Sequence, residues 1–182
     1  MLDDALSPFD LLLKISEVSE GVSAIGPTPV RVEEQWVGVG FCIAEQNFVA
    51  DMNQVGEVLT PPSLTAVPGV KSWVLGVANI RGRLVPIIDL QLFFGHEKAS
   101  SLRSRRVITV DIADTFVGIV VDQVYGMKHY AVNDYDANLD AENIIPNVAQ
   151  HITGAYQSGE EVWPLFDLAG LVHHDSFMNV AA

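Results

Sequence analysis

The sequence predicts a mainly β protein built as two paired, small antiparallel barrels, and three observations carry that expectation. Gly76, Pro86, Asp89 and Leu90 recur as Gly154, Pro164, Asp167 and Leu168, each 78 residues later. Apolar character is also kept at Leu84/Val162, Ile87/Leu165 and Ile88/Phe166. A strand–turn–strand unit that returns at a fixed spacing is one building block used twice. A second echo sets Asn53-Gln54-Val55 against Asp122-Gln123-Val124 at an offset of 69 residues. Finally, short apolar runs are broken by polar turns at regular intervals, the pattern of small all-β barrels.

The elements follow in order. Residues 7–22 read as a helix: Ser7 can cap, Pro8 suits the first helical position, and Leu11, Ile15, Val18 and Val22 form one apolar stripe. Such a helix docks on its own domain or, alternatively, on a partner. Gly26-Pro27-Thr28-Pro29 breaks the pattern, so residues 1–35 divide into a helix and a linker. Trp36–Ile43 and Asn47–Leu59 flank a polar turn at Glu45-Gln46 and predict a hairpin. Ser72–Asn79 and Arg83–Leu90 flank Ile80-Arg81-Gly82, with a short helical turn expected over Leu90–Phe94. Arg106–Ile112 and Thr115–Met127 form another pair, turning at Ala113-Asp114. Residues 133–150 are irregular, 152–168 are the repeat pair, and 173–182 read as a tail. Pro86 and Pro164 point to edge or bulge positions, because proline cannot donate to a ladder.

Composition narrows the function classes. With 182 residues and 49% apolar content, the chain can bury a substantial core. No apolar run reaches the roughly 18 residues of a membrane span, and the acidic start Met1-Leu2-Asp3-Asp4 is not a secretory signal. Cys42 is the single cysteine, which excludes an intramolecular disulfide, fits a reducing cytoplasm and reads as a buried, inert thiol. The net charge of −13 argues against nucleic acid as a partner. Seven of the ten basic residues nevertheless lie in 71–106, which carries +5 against −18 elsewhere. This cationic stretch is either a protein-docking surface or a solvated loop around Arg103–Arg106.

Motifs for catalysis are missing: there is no P-loop, GxGxxG, HExxH or GxSxG, and the histidines lack ligand spacing. No cofactor, metal site or catalytic residue is expected. Asp89 and Asp167 could be an acid–base pair in a cleft between the barrels, which would make the protein a small-molecule-binding or hydrolytic domain. Their equivalence in the repeat favours a structural role, each carboxylate capping the turn after its strand. Arg81 has the opposite weighting. Its repeat partner is Gly159, so the fold does not require an arginine there, and a guanidinium on a tight turn suits protein recognition. Asn79 can brace the same turn through backbone hydrogen bonds.

The stretch Val74-Leu75-Gly76-Val77-Ala78-Asn79-Ile80-Arg81-Gly82, followed by Val85-Pro86-Ile87-Ile88-Asp89-Leu90, resembles the signature of CheW-like chemotaxis coupling proteins. Val55-Gly56-Glu57-Val58, Pro68 and Gly118-Ile119-Val120-Val121-Asp122 support the resemblance, which spans residues 36–172. Ser7-Pro8-Phe9-Asp10-Leu11-Leu12, Trp36-x-Gly38-x-Gly40-Phe41 and Ser176-Phe177-Met178 look more like the PilI branch, which serves type IV pilus twitching motility.

The resemblance implies two intertwined, five-stranded SH3-like barrels and no enzymatic activity. It implies a cytoplasmic adaptor between the cytoplasmic tip of a transmembrane chemoreceptor and a CheA-type histidine kinase. Carried over residue by residue, the receptor contacts are Val55, Glu57, Asn79, Arg81 and Gly82. The kinase-facing barrel edge is placed at Val49, Met52 and Val58. Residues 1–35 have no counterpart in short family members.

Overall fold

The structure, a computed structural model, describes residues 34–97, 101–112, 114–138, 144, 145 and 147–182. The helix expected over residues 7–22, with Leu11, Ile15 and Val18, lies outside the described residues, as does the linker up to residue 33. Among the described residues the strands are β1 (Gln35–Ile43), β2 (Gln46–Asp51), β3 (Val58–Leu59), β4 (Val74–Ile80), β5 (Arg83–Asp89) and β6 (Arg106–Ile112). They continue with β7 (Thr115–Val121), β8 (Gln123–Ala131), β9 (Tyr135–Asp136), β10 (Ile152–Ser158) and β11 (Glu161–Phe166). The short α-helices among the described residues are α1 (Leu90–Phe93) after β5, α2 (Leu168–Val172) after β11, and α3 (Asp175–Met178) directly after α2.

The strands form two sheets, one ordered β8-β1-β2-β11-β10-β9 and the other β3-β6-β7-β5-β4. The chain lays down β1 and β2 in the first sheet, crosses to the second for β3 to β7, and returns for β8 to β11. The intertwining is therefore real. The first sheet holds six strands instead of five because two-residue β9 adds to the edge of β10. Antiparallel hairpins far apart in sequence are joined by parallel pairing: β2 to β11 at Val49↔Leu165, and β5 to β7 at Ile87↔Gly118.

The two sequence echoes have distinct structural meanings. The 78-residue repeat is the hairpin β4–β5 returning as β10–β11. The 69-residue echo falls where the chain changes sheets, after β2 and after β7. The strand expected over Thr115–Met127 is broken there at Asp122, whose N–H donates to the Cys42 carbonyl at 2.9 Å. The first strand pair also ends early: Met52–Gln54 is a 3-10 turn, capped by Asp51 Oδ1 accepting from Asn53 N at 2.7 Å.

Physical reasons for the repeated residues are visible. Gly76 and Gly154 sit at bulges opposite β5 and β11, with φ of 138° and 157°. A Cβ on Gly76 would run into the Thr65 carbonyl, and one on Gly154 would come within 2.5 Å of Tyr135 Oη. Pro86 and Pro164 lie on interior strands, not edges. Each comes one residue before the parallel pairing begins at Ile87 and Leu165, so the missing N–H falls outside that ladder.

The central strands β5, β6 and β7 of the second sheet bury residues on both faces. Ile87, Val107 and Val120 pack into that sheet's own core, while their neighbours Ile88, Ile108 and Ile119 join Phe41, Phe48 and Phe166 of the other sheet in a shared core. Alternation along a strand thus splits between two apolar interiors instead of apolar and water. The first sheet adds a smaller cluster of Val49, Tyr130, Tyr156 and Trp163. The C-terminal segment read as a tail forms α3, and its Phe177, 2% exposed, belongs to the shared core.

Candidate functional site

The β4–β5 turn is Arg81-Gly82, and both residues have positive φ, 51° and 82°. Two such residues in a two-residue hairpin loop match the right-handed twist of the flanking strands. Asn79 Oδ1 accepts the Gly82 N–H at 2.8 Å and braces the loop. Gly82 takes its conformation freely, but arginine in the left-handed region costs about 1 kcal/mol. In the second copy Gly159 carries the positive φ, 63°, at the equivalent place. The arginine is therefore held against its backbone preference, with its side chain 78% exposed.

Glu57 holds it. Arg81 Nε lies 2.7 Å from Glu57 Oε1, and Arg81 Nη2 donates to Glu57 Oε2 at 2.9 Å. This two-point geometry fixes the guanidinium plane, while the pair's exposure keeps its contribution to stability small. Glu57 is itself anchored to β6. Thr109 Oγ1 accepts the Glu57 N–H at 2.7 Å, and the Glu57 carbonyl accepts the Thr109 N–H at 2.8 Å. Val55, half-buried, packs against the shared core just before this clamp. The five residues expected to meet a receptor thus divide. Glu57, Asn79, Arg81 and Gly82 are joined by hydrogen bonds and the Arg81–Glu57 ion pair, and Val55 packs against the shared core beside them.

Three of the seven cations in the stretch 71–106 are paired with carboxylates. Arg81 pairs with Glu57, Arg83 with Asp111 at 3.0 Å, and Arg83 also lies 3.9 Å over the Phe116 ring. Arg105, expected on a surface patch or loop, is wholly buried. Its Nη1 and Nη2 donate to Asp89 at 2.5 and 2.9 Å. Its Nε faces Asp122 Oδ1 at 3.0 Å, close enough for attraction but poorly angled for a hydrogen bond. Nothing in the sequence marks Arg105 as different from Arg103 or Arg106, because the partner carboxylates come from β5 and the β7–β8 junction.

Asp89 and Asp167 do occupy equivalent places, before α1 and α2, but their chemistry differs. Asp89 Oδ1 caps α1, accepting from Gln91 N at 3.1 Å and Leu92 N at 3.5 Å. Asp167 makes no such backbone cap. Instead Gln54 reaches across: its Oε1 accepts the Leu168 N–H at 3.0 Å and its Nε2 donates to Asp167 Oδ1 at 3.3 Å. The expectation of two identical carboxylate caps holds for Asp89 alone. The hydrolytic alternative needs an accessible pair, whereas Asp89 is fully buried on Arg105.

Asp122 ties the two sheets together. Its Oδ2 accepts from Ala44 N at 2.7 Å, on the β1–β2 turn, and from Gln91 Nε2 at 2.8 Å, on α1. Burial pushes its carboxyl up from the ordinary value, and the nearby Arg105 and the Ala44 hydrogen bond only partly offset this. Cys42 is buried as expected, and that burial raises its thiol. Of the three kinase-edge residues, Met52 and Val58 are exposed, at 43% and 42%, while Val49 is wholly buried in the first sheet's aromatic cluster. Val49 therefore offers no side-chain surface. Among the described residues no group of His, Cys, Asp and Glu could hold a metal, and no helix is long and apolar enough to cross a membrane.

A family model described as the CheW-like domain matches residues 37–176. The chain belongs to the CheW-like family. This CheW-like chain is 38% identical to Protein PilI of Pseudomonas aeruginosa over 99% of both chains. It is 28% identical to the chemotaxis protein CheW of Klebsiella aerogenes, over 77% of this chain and 83% of that one. In three dimensions it matches the crystal structure of the scaffolding protein TtCheW from Thermoanaerobacter tengcongensis, with a TM-score of 0.66. That match covers 79% of this chain and 96% of the other at 24% identity, and it speaks to the fold alone. The resemblance to the PilI branch thus extends over the whole CheW-like chain, residues 1–35 included.

Proposed function

We propose that this protein is a non-enzymatic adaptor that couples a chemoreceptor's cytoplasmic tip to a CheA-type histidine kinase, in chemotaxis-like control of type IV pilus twitching motility. Receptor contact falls on Val55, Glu57, Asn79, Arg81 and Gly82, and kinase contact on the edge carrying Met52 and Val58. An adaptor consumes nothing, so the signal comes from differential binding to two receptor states.

The observation that carries the reading is Arg81. It accepts a strained backbone, projects into solvent, and is oriented by Glu57, an arrangement the second copy of the hairpin does without. Strain and preorganisation at an exposed arginine favour recognition over folding. The full-length likeness to PilI supplies the biological setting.

Arg81→Glu tests the proposal. It replaces the ion pair with two facing carboxylates at the turn, so binding of a receptor cytoplasmic fragment weakens by about 2 kcal/mol or more. The melting curve shifts little, because an exposed turn substitution changes stability by about 0.5 kcal/mol. Kinase affinity, titrated in parallel, stays near wild type. Equal loss of both affinities with a lowered melting point would show that Arg81 is structural.

A further inference from the structure

A recess of about 460 Å³ lies at the junction of the β1–β2 turn, α1 and the β7–β8 crossover, lined by Cys42, Ala44, Glu45, Gln91, His96, Glu97 and Asp122. Its walls are rich in acceptors. Gln91 is 2% exposed, and its Oε1 has no hydrogen-bond partner. The amide cannot be turned over to hide that oxygen, because Nε2 already donates to Asp122 Oδ2 at 2.8 Å and a flip would set oxygen against carboxylate. Asp122 Oδ1 makes no well-angled hydrogen bond, but it is already ion-paired with Arg105 Nε at 3.0 Å, so Gln91 Oε1 is the acceptor left unpartnered. Glu45 and Glu97 are exposed at the same recess. Among the described residues three carboxylates and no lysine or arginine line it, and Arg105 behind it is already paired with Asp89 and Asp122. A buried acceptor left unpaired is costly, so a donor-bearing cation that reaches Gln91 Oε1 relieves that cost.

We propose that this recess binds a guanidinium group carried on an arginine side chain of a partner polypeptide. The carboxylates are too dispersed to hold a metal ion, since no metal-competent group exists among the described residues. A guanidinium spreads five donors over a plane and is weakly hydrated, so it can meet several separated acceptors while resting against Cys42 and Ala44. A free amino acid is a poorer occupant, because its own carboxylate would face Glu45 and Glu97. The inference stands apart from the Arg81 turn, which belongs to another part of the surface-exposed loops and carries the opposite charge.

The test titrates the full chain with Nα-acetyl-argininamide and follows amide signals by NMR. Saturable shifts are expected at the Gln91 side-chain amide and the Ala44 N–H. The Glu45→Gln/Glu97→Gln variant, altered only at exposed positions, keeps its melting point and binds about tenfold more weakly, as does free arginine with the wild-type chain. Absence of saturable shifts overturns the site. Unchanged affinity in the double variant, or equal binding of Nα-acetyl-lysinamide, overturns the guanidinium assignment.

Discussion

Arg105→Met removes the one cation from a cluster in which Asp89 is fully buried and Asp122 is four-fifths buried at its side chain. The lost contacts are two hydrogen bonds to Asp89, at 2.5 and 2.9 Å, and the 3.0 Å approach to Asp122. A buried ion pair stripped of one partner costs about 3–5 kcal/mol, mostly because the remaining charge has no solvent. Methionine fills part of the arginine stem's volume, so packing loss is the smaller contribution. For a chain of this size the melting temperature falls by roughly 10 °C. The decisive measurement is a double-mutant cycle with Asp89→Asn, read by urea denaturation. Asparagine keeps an oxygen for the α1 cap but no charge, so the double variant loses about 2 kcal/mol less than the two single losses added together. A loss below about 1 kcal/mol for Arg105→Met, or strict additivity in the cycle, would refute the view that a charge pair locks this junction.

Two further predictions follow from the packing. Gly76→Ala places a Cβ against the Thr65 backbone oxygen at a φ of 138°, so a cost of about 2 kcal/mol or more is expected in the same denaturation assay; near wild-type stability would mean that the bulge is not required. His151 is 4% exposed and packs against the rings of Phe94 and Phe166, which also touch each other. Its pKa is lowered from the ordinary 6.5, first by burial and then by His174, with Asp167 opposing. A base with a depressed folded-state pKa contributes stability that is present above the unfolded value and lost as pH falls through the folded one. Melting temperature should therefore drop as pH goes from about 7 to 5, and His151→Phe should flatten that drop; an identical slope in the variant would remove His151 as its source.

Much of this protein is legible in its residues. The repeat at 78 residues, the glycine and proline that mark it, Asp89 ahead of α1, and the turn at Arg81 all report local backbone requirements. A bulge needs a residue with positive φ, a parallel ladder excludes proline, and a short helix needs its first N–H groups satisfied. Each requirement acts over a few residues, so it leaves its mark in a few residues. The odd arginine in one of two equivalent turns was visible for the same reason: the second copy shows what the fold needs, and the difference shows what it does not.

Only the tertiary structure decided which distant side chains meet. Arg105 reads as one more cation in a basic stretch, yet it is buried because β5 and the β7–β8 crossover bring two carboxylates to it. Gln54 reads as part of a weak echo, yet it completes the α2 cap that Asp167 leaves open, from 114 residues away at Leu168. Val49 reads as an edge residue, yet the parallel pairing of β2 with β11 places it inside. Long-range pairing is specified by the sum of many weak apolar contacts across two sheets, and no single window of sequence carries that sum.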